Sequence, residues 1–224
     1  MATAWSAFFP NIVPELPGAP LPLIEHHIRE AVREFCESTL FWRETFVQSL
    51  IADAHTYFLV PDVVLTGDPP VAAIPYLVQR INRVNVLNVE PPLDAMNETA
   101  LDAFDLHWRT KSGEAFAYLQ PAPNQIRIVY TPTVDVAEAL SVEMAVKPLP
   151  NAPELFNDDI LDHHLDDIAA GVKAAMMLSP RKTYSDPAMG KMYSEKFKAA
   201  CGAAATRRAR DYTRLPMRVR GYDR

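Results

Sequence analysis

Residues 155–180 read LFNDDILDHHLDDIAAGVKAAMMLSP. No proline interrupts the stretch before Pro180, and Leu161, Leu165, Ile168, Val172 and then Ala175 or Met176 recur at intervals of three or four. That spacing predicts one apolar face of an amphipathic helix. Asn157 predicts its N-cap. Asp158, Asp159 and Asp162 fall in the first turn and a half, where the helix dipole favours a carboxylate by ~0.3–1 kcal/mol. Ser179-Pro180 predicts the end, because proline lacks the N–H that a helix interior needs. Gly171 costs ~1 kcal/mol relative to alanine in a helix interior. Ala169, Ala170, Ala174 and Ala175 surround it, so close approach of a second helix would offset that cost; simple tolerance of the glycine is the plain alternative.

Proline marks out the rest of the chain. It supplies 20 of 224 residues, yet segments 23–60, 154–179 and 188–215 contain none. Helices fit into such gaps. In 23–42, residues Ile24, Ile28, Ala31, Val32 and Phe35 form one stripe, with Glu25, Arg29, Glu30, Arg33 and Glu37 on the other side and Phe41-Trp42 closing the segment. A last helix starts at Asp186-Pro187, an N-cap followed by proline in the first turn, with Met189, Tyr193, Phe197, Ala200 and Ala204 on one side. Between the first and second long helices the pattern changes to that of strands. TFVQSLI (45–51), TYFLV (56–60) and YLVQRINRVNVLNV (76–89) are rich in β-branched and aromatic residues. Residues 91–103 predict a loop with a short helix. AFAYLQ (115–120) and QIRIVY (125–130) flank PAPN (121–124) as a hairpin, and ALSVEMAVKP (139–148) alternates Leu140, Val142, Met144 and Val146 with polar residues.

The predicted fold is therefore α+β: a small helical bundle of first, penultimate and last helices with a β-rich insertion between the first and second of them. The predicted layout is a proline-rich extended segment (1–22), a domain over 23–206 whose core is 23–42 with 157–206 and whose insertion is 45–147, and a basic C-terminal arm (207–224).

Composition narrows the function. Hydrophobic residues are 49% and charged residues 22%, the ordinary globular range. No run of ~18 apolar residues offers a membrane span, and the opening MATAWSAFFPNIVPELPG lacks the basic start of a secretory signal. Cys36 and Cys201 are too few for a disulfide framework or a zinc knuckle. GxSxG, GxxxxGK[ST] and GxGxxG are absent.

One catalytic alternative comes from DDILDHHLDD (158–167). Asp159, His163 and Asp166 or Asp167 share a helix face, so they are the ligand set of a metal-dependent enzyme if one exists here. Against it, HExxH is absent, His163 and His164 are adjacent, and the polar half of an amphipathic helix accounts for the same residues. The reading preferred is a solvated face or a protein contact, with no cofactor and no metal.

The net charge of −6 conceals a division. Residues 1–179 hold 10 Lys and Arg against 24 Asp and Glu; residues 180–224 hold 12 against 4. Every cation of the last eighteen residues is arginine, whose planar fork pairs with carboxylate or phosphate in bidentate fashion. Arg207, Arg208, Arg210, Arg214, Arg218 and Arg220 are interleaved with Tyr212, Leu215, Val219 and Tyr222. Apolar anchors beside charge favour a groove on a protein over a DNA backbone. A DNA-binding accessory protein using this end is the alternative; a solvated tail, or one folded back on the acidic body, is the plain one.

The order of features resembles the head–tail adaptor proteins of tailed phages, the tail tubular protein A-like group. PLPLIEHHIREAVREFCESTLFW (20–42), LDAFDLHWRTKSGEAFAYLQPAPNQIRIVYTPT (101–133), the stretch 155–180 and YSDPAMGKMYSEKFKAA (184–200), followed by the arginine-rich end, carry the resemblance. It implies a non-enzymatic virion protein, made in the host cytoplasm and assembled as a ring, usually of twelve copies, at the head–tail junction. It implies that 207–224 grips the portal protein and that 45–146 meets neighbouring copies or the tail nozzle or tail tube protein. Double-stranded DNA would pass through the lumen without specific binding, which an acidic body suits because it does not hold phosphate. No membrane is implied.

Overall fold

The computed structural model describes residues 4–59, 76–155 and 157–209. In chain order it contains 3-10 helices Trp5–Asn11 and Val13–Glu15, helix α1 (Leu21–Thr39), strands β1 (Arg43–Leu50), β2 (Thr56–Phe58), β3 (Tyr76–Val86) and β4 (Asp94–Ala95), and helix α2 (Glu98–Phe104). Strands β5 (Ala117–Ala122), β6 (Gln125–Val129) and β7 (Val136–Pro148) follow, then helices α3 (Asp158–Met177) and α4 (Pro187–Ala209). The fold is α+β: α1, α3 and α4 pack together, and two small sheets are inserted between α1 and α3. The described parts of Met1–Trp42 and Pro150–Arg224 make one compact unit and those of Arg43–Leu149 another.

In the helical unit, Ile24, Ile28, Ala31, Val32 and Phe35 of α1 are all buried, as their spacing predicts. Asn157 caps α3 by accepting a hydrogen bond from Ile160 N–H (3.3 Å). The first half of α3 departs from the predicted face. Ile160 and His164 point inward, and Leu161 and Leu165 are only half-buried. The backbone leaves helical geometry at His164 (φ −133°, ψ 17°), so residues before the kink are turned relative to those after it. Past the kink, Ile168, Val172 and Met176 are buried as predicted, while Ala175 is exposed.

Asp186 caps α4, its Oδ1 accepting from the N–H groups of Ala188 and Met189 at 3.1 Å each. The inward residues are Phe197, Cys201 and Ala204. Met189, predicted inward, is exposed, and Gly190 is buried in its place. A Cβ on Gly190 would stand 3.0 Å from the Leu178 side chain, so the first turn of α4 approaches the end of α3 through its glycine. At Gly171 a Cβ would lie 3.0–3.2 Å from the Phe197 ring: the close approach of α4 is made by this ring.

The N-terminal segment is coiled where an extended run is expected. Trp5, Phe8, Ile12 and Leu16 are buried, with the segment packed on α1 and α3. Proline's fixed φ near −65° also suits a 3-10 helix, so Pro10 and Pro14 are accommodated within the coils. Trp5 Nε1 donates to Ala152 O (3.0 Å), and Asn11 Nδ2 to Asp166 Oδ1 (2.8 Å).

The other unit holds an antiparallel sheet ordered β1-β7-β3 and a second sheet ordered β2-β6-β5-β4. Strand β7 is the middle of the first. Leu140, Val142, Met144 and Val146 are buried on one face, since alternate residues of a strand share a side. Val142 lies opposite both Phe46 and Val84. The β5–β6 hairpin is tighter than predicted: Ala122 pairs with Gln125, leaving Pro123 and Asn124 as the turn. Leu101, Trp108, Ala117, Leu119 and Val129 form a hydrophobic cluster beneath α2.

Candidate functional site

The acidic histidine motif resolves into two kinds of residue. His163 is exposed, whereas His164 is 5% exposed, its ring centroid 4.6 Å from that of Phe35 and 4.8 Å from that of Phe41. A face that reads as wholly solvated therefore contributes one histidine to the core. His164 Nδ1 lies 2.9 Å from Asp167 Oδ2, which satisfies the buried imidazole. Asp166 is engaged by Asn11. Among the described residues no group of three or more His, Cys, Asp and Glu is placed to hold a metal ion. Asp159, His163 and Asp167 are not brought together as such a set.

The basic end begins inside α4. Arg207 and Arg208 form its last turn, where cations oppose the negative end of the helix dipole. The remaining predicted arm contacts, Arg210, Tyr212, Arg214, Leu215, Arg218, Val219, Arg220 and Tyr222, lie outside the described residues. Arg207 and Ala204 of α4, His163 and His164 of α3, and Phe41 line one cleft of about 140 Å³. The two sequence features that carry charge thus meet at the end of α4. Phe197, Cys201 and Ala204 hold this end of α4 in the bundle. Burial pushes the Cys201 thiol above its ordinary range, which leaves it a packing residue.

A second polar cluster ties the N-terminal segment to the bundle. Lys173, 8% exposed on α3, donates through Nζ to Glu15 Oε1 (2.6 Å). Tyr193 of α4 donates its hydroxyl to Glu15 Oε2, and the Lys173 ammonium lies 5.2 Å from the Tyr193 ring centroid. The hydrogen bond from Lys173, and then that from Tyr193, hold the Glu15 carboxyl below its usual pKa. A carboxyl depressed on folding contributes stability above the unfolded value, near 4.3, and loses it as pH falls through the folded value. Glu15→Gln should therefore flatten the fall in melting temperature on acidification below about pH 5. Because the Glu15 side chain is 44% exposed, its loss at pH 7 should cost no more than ~1 kcal/mol. Thermal melts of both proteins from pH 7 to pH 3 check this.

The β unit contains a braced loop after α2. Trp108, buried, donates from Nε1 to Asp102 Oδ1 (2.9 Å), which also accepts from Arg109. The guanidinium carbons of Arg109 and Arg127 lie 4.4 and 4.7 Å from the Trp108 ring centroid. Asp105 accepts from His107 N–H (2.9 Å), Lys111 Nζ (3.1 Å) and Tyr130 Oη (3.0 Å). The Arg109 hydrogen bond holds Asp102 below the usual carboxylate range, and the His107 N–H does so for Asp105. Between these braces Phe104 and Leu106 stand out into solvent, 65% and 78% exposed. Sequence reading passes over this pair, because the bracing hydrogen bonds, mostly local, follow no strand or helix period, and Arg127 and Tyr130 join them from β6 and the residue after it.

A family model described as SU10 adaptor protein matches residues 10–220. No curated protein matches the chain.

Proposed function

Since the chain belongs to the SU10 adaptor protein family, a family of phage head–tail adaptors, we propose that it is a virion protein forming a ring between portal and tail. The family is one of structural adaptors rather than enzymes. No helix among the described residues is long and apolar enough to cross a membrane. In the proposed arrangement about twelve copies, made in the host cytoplasm, close beneath the portal, with the tail nozzle or tail tube protein on the other side. Double-stranded DNA passes through the lumen without specific binding. The arm over 207–224 grips the portal through its arginine forks and apolar residues.

The observation that carries this reading is the family match over nearly the whole chain. The geometry supports it: α4 runs to Ala209 with its anchoring residues behind it, so the basic end leaves from a fixed root beside the cleft at Phe41. The acidic body suits a channel that DNA slides through, because like charge repels the phosphate backbone.

Mixing the purified chain with portal oligomers and weighing the complexes tests the proposal. A full complement of about one copy per portal subunit is expected. Portal particles that remain unloaded, together with tight DNA binding that weakens steeply with salt, would favour the DNA-binding reading instead.

A further inference from the structure

Strand β3 is the outer strand of one sheet and β4 of the other. The chain joins these two edges where Leu93 N–H donates to Val84 O (2.9 Å). Toward the start of β3, Val78 N–H donates to Asn124 Oδ1 (3.1 Å). Between these two bonds, residues 79–83 pair with β7 on one side, through bulges at Gln79 and Asn82, and with no strand among the described residues on the other. An unpaired strand edge is a template for another strand. The open stretch borders a cleft of about 420 Å³ whose lining includes Gln79, Arg80, Ile81, Asn97, Tyr118 and Gln120.

The cleft has the chemistry of a peptide site. Gln79 keeps both atoms of its amide buried and without a hydrogen-bond partner, and a side-chain amide matches the donor and acceptor of a peptide bond. Of the described residues on the lining, Arg80 alone is charged, and it is exposed. Arg83, also exposed, donates from Nε to the neutral amide of Asn85 (3.0 Å). Neither arginine has a carboxylate partner among the described residues. The positive charge at this edge is therefore not cancelled on its own surface.

We propose that an extended, acidic segment of a partner protein adds to β3 along 79–83, as a fourth strand of that sheet, with one of its carboxylates on Arg80. Backbone hydrogen bonds hold the segment, and the ion pair with Arg80 selects it. Arg80 and Arg83 repel a second β3, since like charges set side by side on paired strands are destabilising, so this edge does not pair with its own kind. DNA phosphates reach the two arginines as well, but a duplex is too wide for a cleft between two strand edges, and phosphate offers the Gln79 amide no donor. This docking edge depends neither on ring closure nor on the basic arm.

Selection of random short peptides by ribosome display tests it, with capture on the full-length chain and counter-selection on Arg80→Glu. The variant keeps the arginine-rich end, so peptides held there are removed. The survivors are expected to carry Asp or Glu among alternating apolar residues and to bind the Arg80→Glu variant at least tenfold more weakly, at an unchanged melting temperature. They are also expected to slow amide hydrogen exchange across 79–83. N-methylation of alternate backbone nitrogens in such a peptide should abolish binding, which contact through side chains alone would survive. No survivors, basic survivors, or survivors that leave exchange at 79–83 unchanged would overturn the inference. A short DNA duplex that binds more tightly than any survivor and is released by Arg80→Glu would overturn it too, assigning the edge to phosphate.

Discussion

Removing residues 207–224 is expected to abolish co-purification with the portal while the remaining chain stays folded. The buried residues that fix the end of α4, Phe197, Cys201 and Ala204, all precede the cut. Arg207 and Arg208 lie in the last turn of α4, where each charge on the dipole contributes ~0.3–1 kcal/mol. The body should thus stay folded and lose roughly 1–2 kcal/mol. The loss of binding should be far larger. Seven arginines and their apolar neighbours go at once, and single anchors of this type are worth ~2 kcal/mol or more when they dominate an interface. Two such anchors correspond to roughly a thousandfold in affinity. Pull-down on portal oligomers, with circular dichroism of the truncated chain alongside, reads both halves. Undiminished binding by the truncated chain would remove the arm from the account.

The second large effect concerns the opposite end of the chain. Trp5→Ala should destabilise the helical unit by ~3–5 kcal/mol, the usual cost of emptying a site filled by a buried aromatic. For a chain of this size each kcal/mol moves the melting temperature by roughly 2–4 °C. Trp5 is 2% exposed and its indole N–H is bonded to Ala152 O. The substitution therefore removes a core side chain and orphans a carbonyl. A segment merely draped over the surface would give a change within ~0.5 kcal/mol. Differential scanning calorimetry separates the two, and a small change would mean that residues 5–16 do not belong to the core.

That contrast shows where sequence reading succeeds and where it stops. The α1 face and the alternation of β7 are legible because each is set by neighbours within the element. The N-terminal segment is harder. Its prolines suggest extension, yet Trp5, Phe8, Ile12 and Leu16 already stand at helical spacing. The face of α3 is predicted correctly only after His164, because a kink at one residue rotates all that precedes it. On α4, Gly190 lets the backbone approach Leu178 and so turns Met189 outward, an effect of packing that periodicity does not contain. His164 reads as part of a polar face until Phe35 and Phe41 close around it. The braced loop at Phe104 and Leu106 is held mainly by partners two to seven residues away, Trp108 and Arg109 on Asp102 and His107 and Lys111 on Asp105, which no periodicity marks, with Tyr130 added from after β6. The proposed arm rests on the arginine and tyrosine content of 207–224 and on what the family suggests.

The account depends on one placement: this chain beneath the portal, held there by its basic end. Imaging of the neck of intact particles at side-chain resolution tests that placement most directly. The expected result is a ring of about twelve copies against the portal, with 207–224 lying on portal subunits. A chain found elsewhere in the particle, or a ring whose residues 207–224 point away from the portal, would contradict it.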